Sequence, residues 1–213
     1  GAFLSTDNGR SWTRVNSGLT STSVQCFLVS GTYLFAGTRG GIYRSSNNGT
    51  TWTQVISGLT DINVSSLAVN GASLFVGTRG NGVFRSTNNG STWTQVNSGL
   101  AGIGVWSFAI DGTNLFAGTD EGVFLSLNEG SDWTDVSIGL IRNRMYCFAI
   151  SNTNFFAGGG SGLFLSNNSG ATWTPINTAL MNSGVSSLAV VGKDLLAGTF
   201  GRGVLRSTDN GSN

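Results

Sequence analysis

At 213 residues with 39% apolar content the chain is long enough to bury a sizeable core, and its single-sign charge excess is only +1. Charged residues make up 10%, against roughly 25% in ordinary soluble domains, and so small a net charge excludes the basic footprint of a nucleic-acid binder. The absence of His removes His-based triads and His metal sites, and no run approaches the roughly 18 apolar residues of a membrane helix.

The chain begins inside a repeat. Ala2 to Ser5 is a short apolar strand, followed by the turn Ser5-Thr6-Asp7-Asn8-Gly9-Arg10-Ser11-Trp12 and a second strand from Ser11 to Val15. With no starting Met and no leader, the sequence reads as processed, excised or trimmed, and the missing targeting segment carries no information on location. The same turn returns at Ser45 to Trp52, Ser86 to Trp93, Ser126 to Trp133 and Ser166 to Trp173, and stops short of its Trp at Ser207 to Gly211. A fixed spacing of about 40 residues is the signature of a repeat architecture.

Between the turns each unit carries four runs, labelled A to D. In the first full unit these are Val24 to Val29, Tyr33 to Gly37, Ile42 to Ser45 and Thr51 to Val55. β-Branched and aromatic residues fill the runs while Gly and Asn fill the gaps, which predicts four antiparallel strands. The runs are nearly continuous in apolar character, as expected when both faces of a small sheet are covered by copies of itself. The predicted class is therefore all-β, a β-propeller of four-stranded antiparallel blades. Units run over about 18–57, 58–97, 98–137, 138–177 and 178–213 plus 1–17, within a single domain 1–213. Strands A, B and C of the last unit lack a D strand, so the expectation is five blades with the N-terminal strand closing the last one. Twenty strands would suffice and twenty-one are predicted, leaving Ala2–Ser5 or Val204–Ser207 surplus. A fragment of a longer array is the competing reading.

The turn has a physical logic. Its Gly supplies the positive φ of a tight hairpin, its Asp or Asn bonds turn amides, and its Trp buries a ring against the neighbouring unit. Ser-x-Asp-x-Gly-x-x-Trp resembles the Asp-box, or bacterial neuraminidase repeat, of sialidase-like and Vps10-like propellers. The match is complete at Ser5, Asp7, Gly9 and Trp12. It carries Asn for Asp at Ser45, Asn47, Gly49 and Trp52; at Ser86, Asn88, Gly90 and Trp93; at Ser126, Asn128, Gly130 and Trp133; and at Ser166, Asn168, Gly170 and Trp173. It ends with Ser207, Asp209 and Gly211. The resemblance implies a structural turn on the face away from any ligand. Asp-Asn-Gly also looks like the start of a calcium loop, but the later Glu is missing each time, so no metal and no cofactor are expected. The sequons Asn48-Gly49-Thr50 and Asn89-Gly90-Ser91 fall inside the turns and are read as by-products of the motif, with glycan attachment as the alternative.

Function is expected on the opposite, variable loops. The B-to-C loops contribute Arg39, Arg79, Asp120 with Glu121, Gly159-Gly160-Ser161, and Phe200 with Arg202. The D-to-A loops contribute Asp61, Arg142, Asn143 and Arg144, and the inner-strand position holds Gln25, Ser65, Trp106, Tyr146 and Ser186. Aromatic rings beside Arg suit a sugar or an anionic group, so Arg39, Arg79, Trp106, Asp120, Glu121, Arg142, Arg144, Tyr146 and Arg202 are the candidate contacts. The plain alternative is that Trp106 and Tyr146 plug a channel and the arginines are solvated. Arg39, Arg79 and Arg202 are read as repeat-equivalent, so internal symmetry accounts for them without a sialidase-type arginine triad. Asp61 with Asp120 or Glu121 is the one carboxylate group that would serve a minimal glycoside hydrolase; the expectation is a non-enzyme. Cys26 and Cys147 share one strand position and are expected as small buried residues. The wording of the repeats resembles large secreted bacterial repeat proteins, which implies a secreted, extracellular recognition or surface-display module. Its expected partners are a glycan or anionic polysaccharide, or proteins of an extracellular assembly, with no nucleic acid and no membrane span. A structural subunit of such an assembly is the alternative.

Overall fold

A computed structural model describes residues 1–176, 180, 183–209 and 211; Asn210 of the last turn, and residues 177–179 at the join of the last two repeats, lie outside them. The chain divides into two compact units, Gly1–Asn97 and Ser98–Asn213.

In the first unit β1 (Phe3–Leu4) pairs with β2 (Thr13–Arg14) as a two-stranded sheet. Two four-stranded sheets follow. One is β3 (Val24–Ser30), β4 (Tyr33–Thr38), β5 (Gly41–Ser45) and β6 (Thr53–Gln54); the other is β7 (Val64–Asn70), β8 (Ser73–Thr78), β9 (Val83–Ser86) and β10 (Thr94–Gln95). The second unit holds β11 (Val105–Asp111) to β14 (Thr134–Asp135) with β12 (Asn114–Thr119) and β13 (Gly122–Ser126) between them. Next come β15 (Met145–Ser151), β16 (Asn154–Gly159), β17 (Gly162–Ser166) and β18 (Thr174–Ile176). Its last sheet has three strands, β19 (Val185–Val191), β20 (Asp194–Thr199) and β21 (Gly203–Ser207). Among the described residues every pairing of these strands is antiparallel between sequence neighbours, and one isolated parallel bridge joins Ser17 and Thr51. The architecture is all-β, with the meander sheets of a propeller.

The described strands make four complete sheets, one of three and one of two. In the first unit the hairpin across the short turn Ser5–Trp12 closes a small loop, and short loops carry little closure entropy, so Thr13–Arg14 pairs with Phe3–Leu4.

Each turn is locked in the same way. Ser45 Oγ accepts from the Gly49 amide at 2.9 Å and donates to Asn47 Oδ1 at 2.9 Å, while that same Oδ1 accepts from the Thr51 amide at 2.9 Å. The bonds recur at Ser86 and Asn88, Ser126 and Asn128, and Ser166 and Asn168. Ser207 and Asp209 repeat the first part, with Gly211 donating to Ser207 Oγ. The residue before the turn Gly holds positive φ at Asn8, Asn48, Asn89, Glu129 and Ser169.

The turn Trp then docks on the segment that follows the preceding sheet. The Trp52 amide donates to Ser17 O and its Nε1 to Val15 O; Trp93 does the same to Ser57 O and Val55 O, and Trp173 to Ile138 O and Val136 O. Trp52, Trp93, Trp133 and Trp173 are buried. The backbone approach is so close that an added Cβ at Gly58 would stand 2.1 Å from Trp93 O. Trp12 is the exception, at 63% exposure. Between sheets the cores are apolar, for example Phe35, Val64, Val76 and Phe84 in the first unit and Phe116, Met145, Phe155 and Phe164 in the second.

Candidate ligand-binding site

The first strand of each three- or four-stranded sheet carries a bulge at the same place. Pairing slips between Val24 and Cys26, Val64 and Ser66, Val105 and Ser107, Met145 and Cys147, and Val185 and Ser187. The residues that the ladder register skips are Gln25, Ser65, Trp106, Tyr146 and Ser186. A bulge leaves one residue outside the ladder and re-aims its side chain, which frees this position from core packing and lets its identity vary.

Beside each bulge the B-to-C loop is pinned by one backbone bond. The amides of Arg39, Arg79, Asp120, Gly160 and Phe200 donate to Ser23 O, Asn63 O, Gly104 O, Arg144 O and Gly184 O. These five are therefore the repeat-equivalent loop residues. Arg202 is not equivalent to Arg39 and Arg79. It sits in a one-residue insertion of the β20–β21 loop, where its amide donates to Thr199 Oγ1 as Asn81 donates to Thr78 Oγ1.

In the second unit the variable positions converge. Trp106 and Tyr146 meet edge to face at 5.6 Å, and Tyr146 meets Phe200 in the same manner at 5.3 Å. Arg144 lies over the Trp106 ring at 4.9 Å. Asp120 Oδ1 accepts from Trp106 Nε1 at 2.9 Å and from Arg144 Nε at 2.9 Å. The Asp120 hydrogen bond, with help from Tyr146, holds the Arg144 guanidinium above its ordinary range. Gly184 leaves room for Phe200: a Cβ there would meet the ring at 2.9 Å. Phe200 is 60% exposed, so this ladder of three rings ends in an open face. Sequence reasoning noted Phe200 on its loop without placing it among the contacts, because three residues of equal register had first to be aligned through a loop of variable length.

The remaining candidates stand differently. Arg142 bonds Glu121 O at 3.3 Å and pairs with Asp135, beside the ladder rather than in it. Burial pushes the Asp135 carboxyl up, but hydrogen bonds from Ser137 and Arg142 outweigh it and leave the group below its usual value. Glu121 is exposed, its amide held by Thr119 Oγ1. In the first unit Arg79 Nη2 donates to Gln25 Oε1 at 3.2 Å, and Arg39 is exposed. Asp61 caps a turn, accepting from the amides of Asn63 and Gly80. Cys26 and Cys147 are free thiols, and burial pushes both up to about 12. Among the described residues no group of three or more His, Cys, Asp or Glu is placed to hold a metal ion, and no helix is long and apolar enough to cross a membrane.

Residues 2–101 match the family described as DUF6242 beta propeller domain. No curated protein is similar enough to count as a relative. Solved structures with a similar fold include the GH74 xyloglucanase from Xanthomonas campestris, at TM-score 0.78 and 20% identity over 100% of this chain and 41% of that one. They also include the extracellular domain of a putative hybrid two component system from B. thetaiotaomicron, at TM-score 0.75 and 19% identity over 93% of this chain and 28% of that one. A third is YCF48 bound to D1 peptide, at TM-score 0.67 and 15% identity over 91% of this chain and 68% of that one. The chain spans 26% and 28% of the length of the two extracellular sensor domains it resembles. These likenesses establish a propeller fold, shared with extracellular domains of bacterial proteins.

Proposed function

We propose that the chain is a non-catalytic, extracellular recognition module that binds carbohydrate through the variable rim of its second unit. The observation that carries this reading is the ladder Trp106–Tyr146–Phe200 beside the Arg144–Asp120 pair. Aromatic faces take the apolar C–H face of a sugar, and a guanidinium already oriented by a carboxylate is set to bond hydroxyl or anionic oxygens without further ordering. The repeated turns, in this reading, are Asp-boxes that hold the blades and take no part in binding. Likeness to a xyloglucanase and to a sensor's extracellular domain supports an extracellular, glycan-facing role. Against catalysis stand the ties of the available carboxylates: Asp120 to Trp106 and Arg144, Asp61 to two backbone amides.

The test is titration of the purified chain with neutral β-glucans and with sialylated and sulfated polysaccharides, followed by Phe200→Ala and Arg144→Ala. The expected result is saturable binding that weakens at least tenfold in Phe200→Ala, with folding unchanged because this ring is largely exposed. Binding that survives both substitutions, or no binding to any of these polymers, would sink the proposal.

A further inference from the structure

On the rim of the second unit the charges cancel in pairs. Arg144 Nε donates to Asp120 Oδ1 at 2.9 Å, and Arg142 is paired with Asp135. The other charged residues of the loops at this end, Glu121 and Arg202, are opposite in sign. A guanidinium with a carboxylate in contact offers an approaching anion little net attraction, because the carboxylate repels from nearly the distance at which the guanidinium attracts. Hydrogen bonding is not cancelled in the same way. The contact with Asp120 uses Arg144 Nε, and the N–H groups on a guanidinium's Nη atoms are donors to a neutral hydroxyl as well as to an anion.

The fold does not demand a carboxylate at this place. The amide bond from Asp120 to Gly104 O is the one each repeat makes, and the same loop position holds Arg39 and Arg79 in the first unit. What differs locally is Gly104, where the first unit has Ser23 and Asn63. A Cβ at Gly104 would collide with Asp120 Oδ2. The carboxylate thus stands against a glycine through Oδ2, while Oδ1 accepts from Trp106 Nε1 and Arg144 Nε. Arg144 in turn lies over the Trp106 ring, and that ring meets Tyr146 edge to face. A negative charge is therefore fixed inside the aromatic platform, at the one guanidinium that packs on it.

Resting on the carbohydrate reading above, we propose that the ligand is an uncharged glycan and that Asp120 sets this specificity. Asp120 cancels the Arg144 charge and repels sulfate or carboxylate substituents, while Arg144 keeps its role as a donor to sugar hydroxyls. An arginine that recognises an anion presents its fork for two parallel bonds; here one tine, Nε, is committed to Asp120. The rings supply contact to the C–H faces of the sugar, which needs no charge on the ligand. Discrimination against anionic sugars then comes from a built-in repulsive element as well as from the attractive contacts.

The experiment uses the full chain and matched polymers: a neutral glucan, mannan and galactan, each beside its own sulfated derivative, titrated at low and at high salt. The expected result is a neutral polymer bound at least tenfold more tightly than its sulfated form, with an affinity that salt leaves nearly unchanged. In Asp120→Asn, which keeps an Oδ1 acceptor for Trp106 and Arg144, the ratio of the two affinities should move at least tenfold toward the sulfated form. Binding of that form should also become salt-sensitive. A merely structural role for Asp120 would weaken both forms together and leave their ratio alone. Tighter binding of the sulfated form by the parent chain, or an unchanged ratio in a folded Asp120→Asn, overturns the specificity and leaves the carbohydrate reading standing. If that variant fails to fold, the ratio and salt dependence of the parent chain decide. Absence of binding to every polymer in both forms overturns the carbohydrate reading and this inference with it.

Discussion

Trp93→Ala and Trp12→Ala remove the same residue from the same repeat position within one unit, and the structure assigns them different costs. Trp93 is 4% exposed, and its Nε1 donates to Val55 O at 2.9 Å. Truncating a buried Trp costs about 3–5 kcal/mol, of which the lost hydrogen bond accounts for about 1 kcal/mol. Trp12 is 63% exposed, and a surface substitution of this kind costs about 1 kcal/mol or less. With a urea m-value of about 2 kcal/mol/M, the Trp93 variant should unfold at a midpoint about 2 M lower, and the Trp12 variant within about 0.5 M of the parent. The assay is urea unfolding at 25 °C followed by far-UV circular dichroism, with m checked for constancy. Equal losses in the two variants would refute the argument that docking on the preceding segment, rather than the turn itself, is what makes the Trp stabilising.

The glycines give a second paired comparison. Gly58→Ala places a Cβ 2.1 Å from Trp93 O at φ +88°, while Gly71→Ala, at φ +58°, meets nothing within 4 Å. The second should cost only the left-handed backbone penalty of about 1–2 kcal/mol, and the first clearly more, as read from thermal unfolding. Asp7 is held down to about 2, first by the Ser11 hydroxyl and amide and then by Ser5. A depressed folded value means a contribution present above the unfolded value near 3.8 and lost as pH falls toward 2. Carboxyl NMR titration should place Asp7 well below a free carboxylate, and Asp7→Asn, which copies the other turns, should abolish that acid step. Cys26 and Cys147, raised to about 12 by burial, should resist a thiol reagent at pH 8 and react only on unfolding; rapid native labelling would contradict their burial.

What the sequence made legible and what it hid divide along one line, between local chemistry and choice of partner. The Gly, Asn and Ser of each turn act within a few residues, so the spacing of Ser45, Asn47 and Gly49 could be read directly as a hairpin. The four-strand unit followed from the same local signals. Ala2–Ser5 and Val204–Ser207, however, carry the same strand signal, and nothing in either says which neighbour it will pair with. In the structure the short loop gives β1 to β2, and among the described residues β21 pairs with β20. Trp12 shows the same limit of local signals: it reads as a core residue by motif, yet its ring is exposed, because burial depends on what docks against the turn and not on the turn itself. At the rim, Trp106 and Tyr146 stood out as large residues where other repeats carry Gln or Ser. Phe200 was obscured by the extra loop residue that made Arg202 look like the partner of Arg39 and Arg79. The bulge and the single loop amide bond restore the register, and they explain why variation gathers there. Those two positions in each repeat lie outside the ladder register, so they can change from Gln25 and Arg39 to Trp106 and Asp120 without disturbing the sheets that hold them.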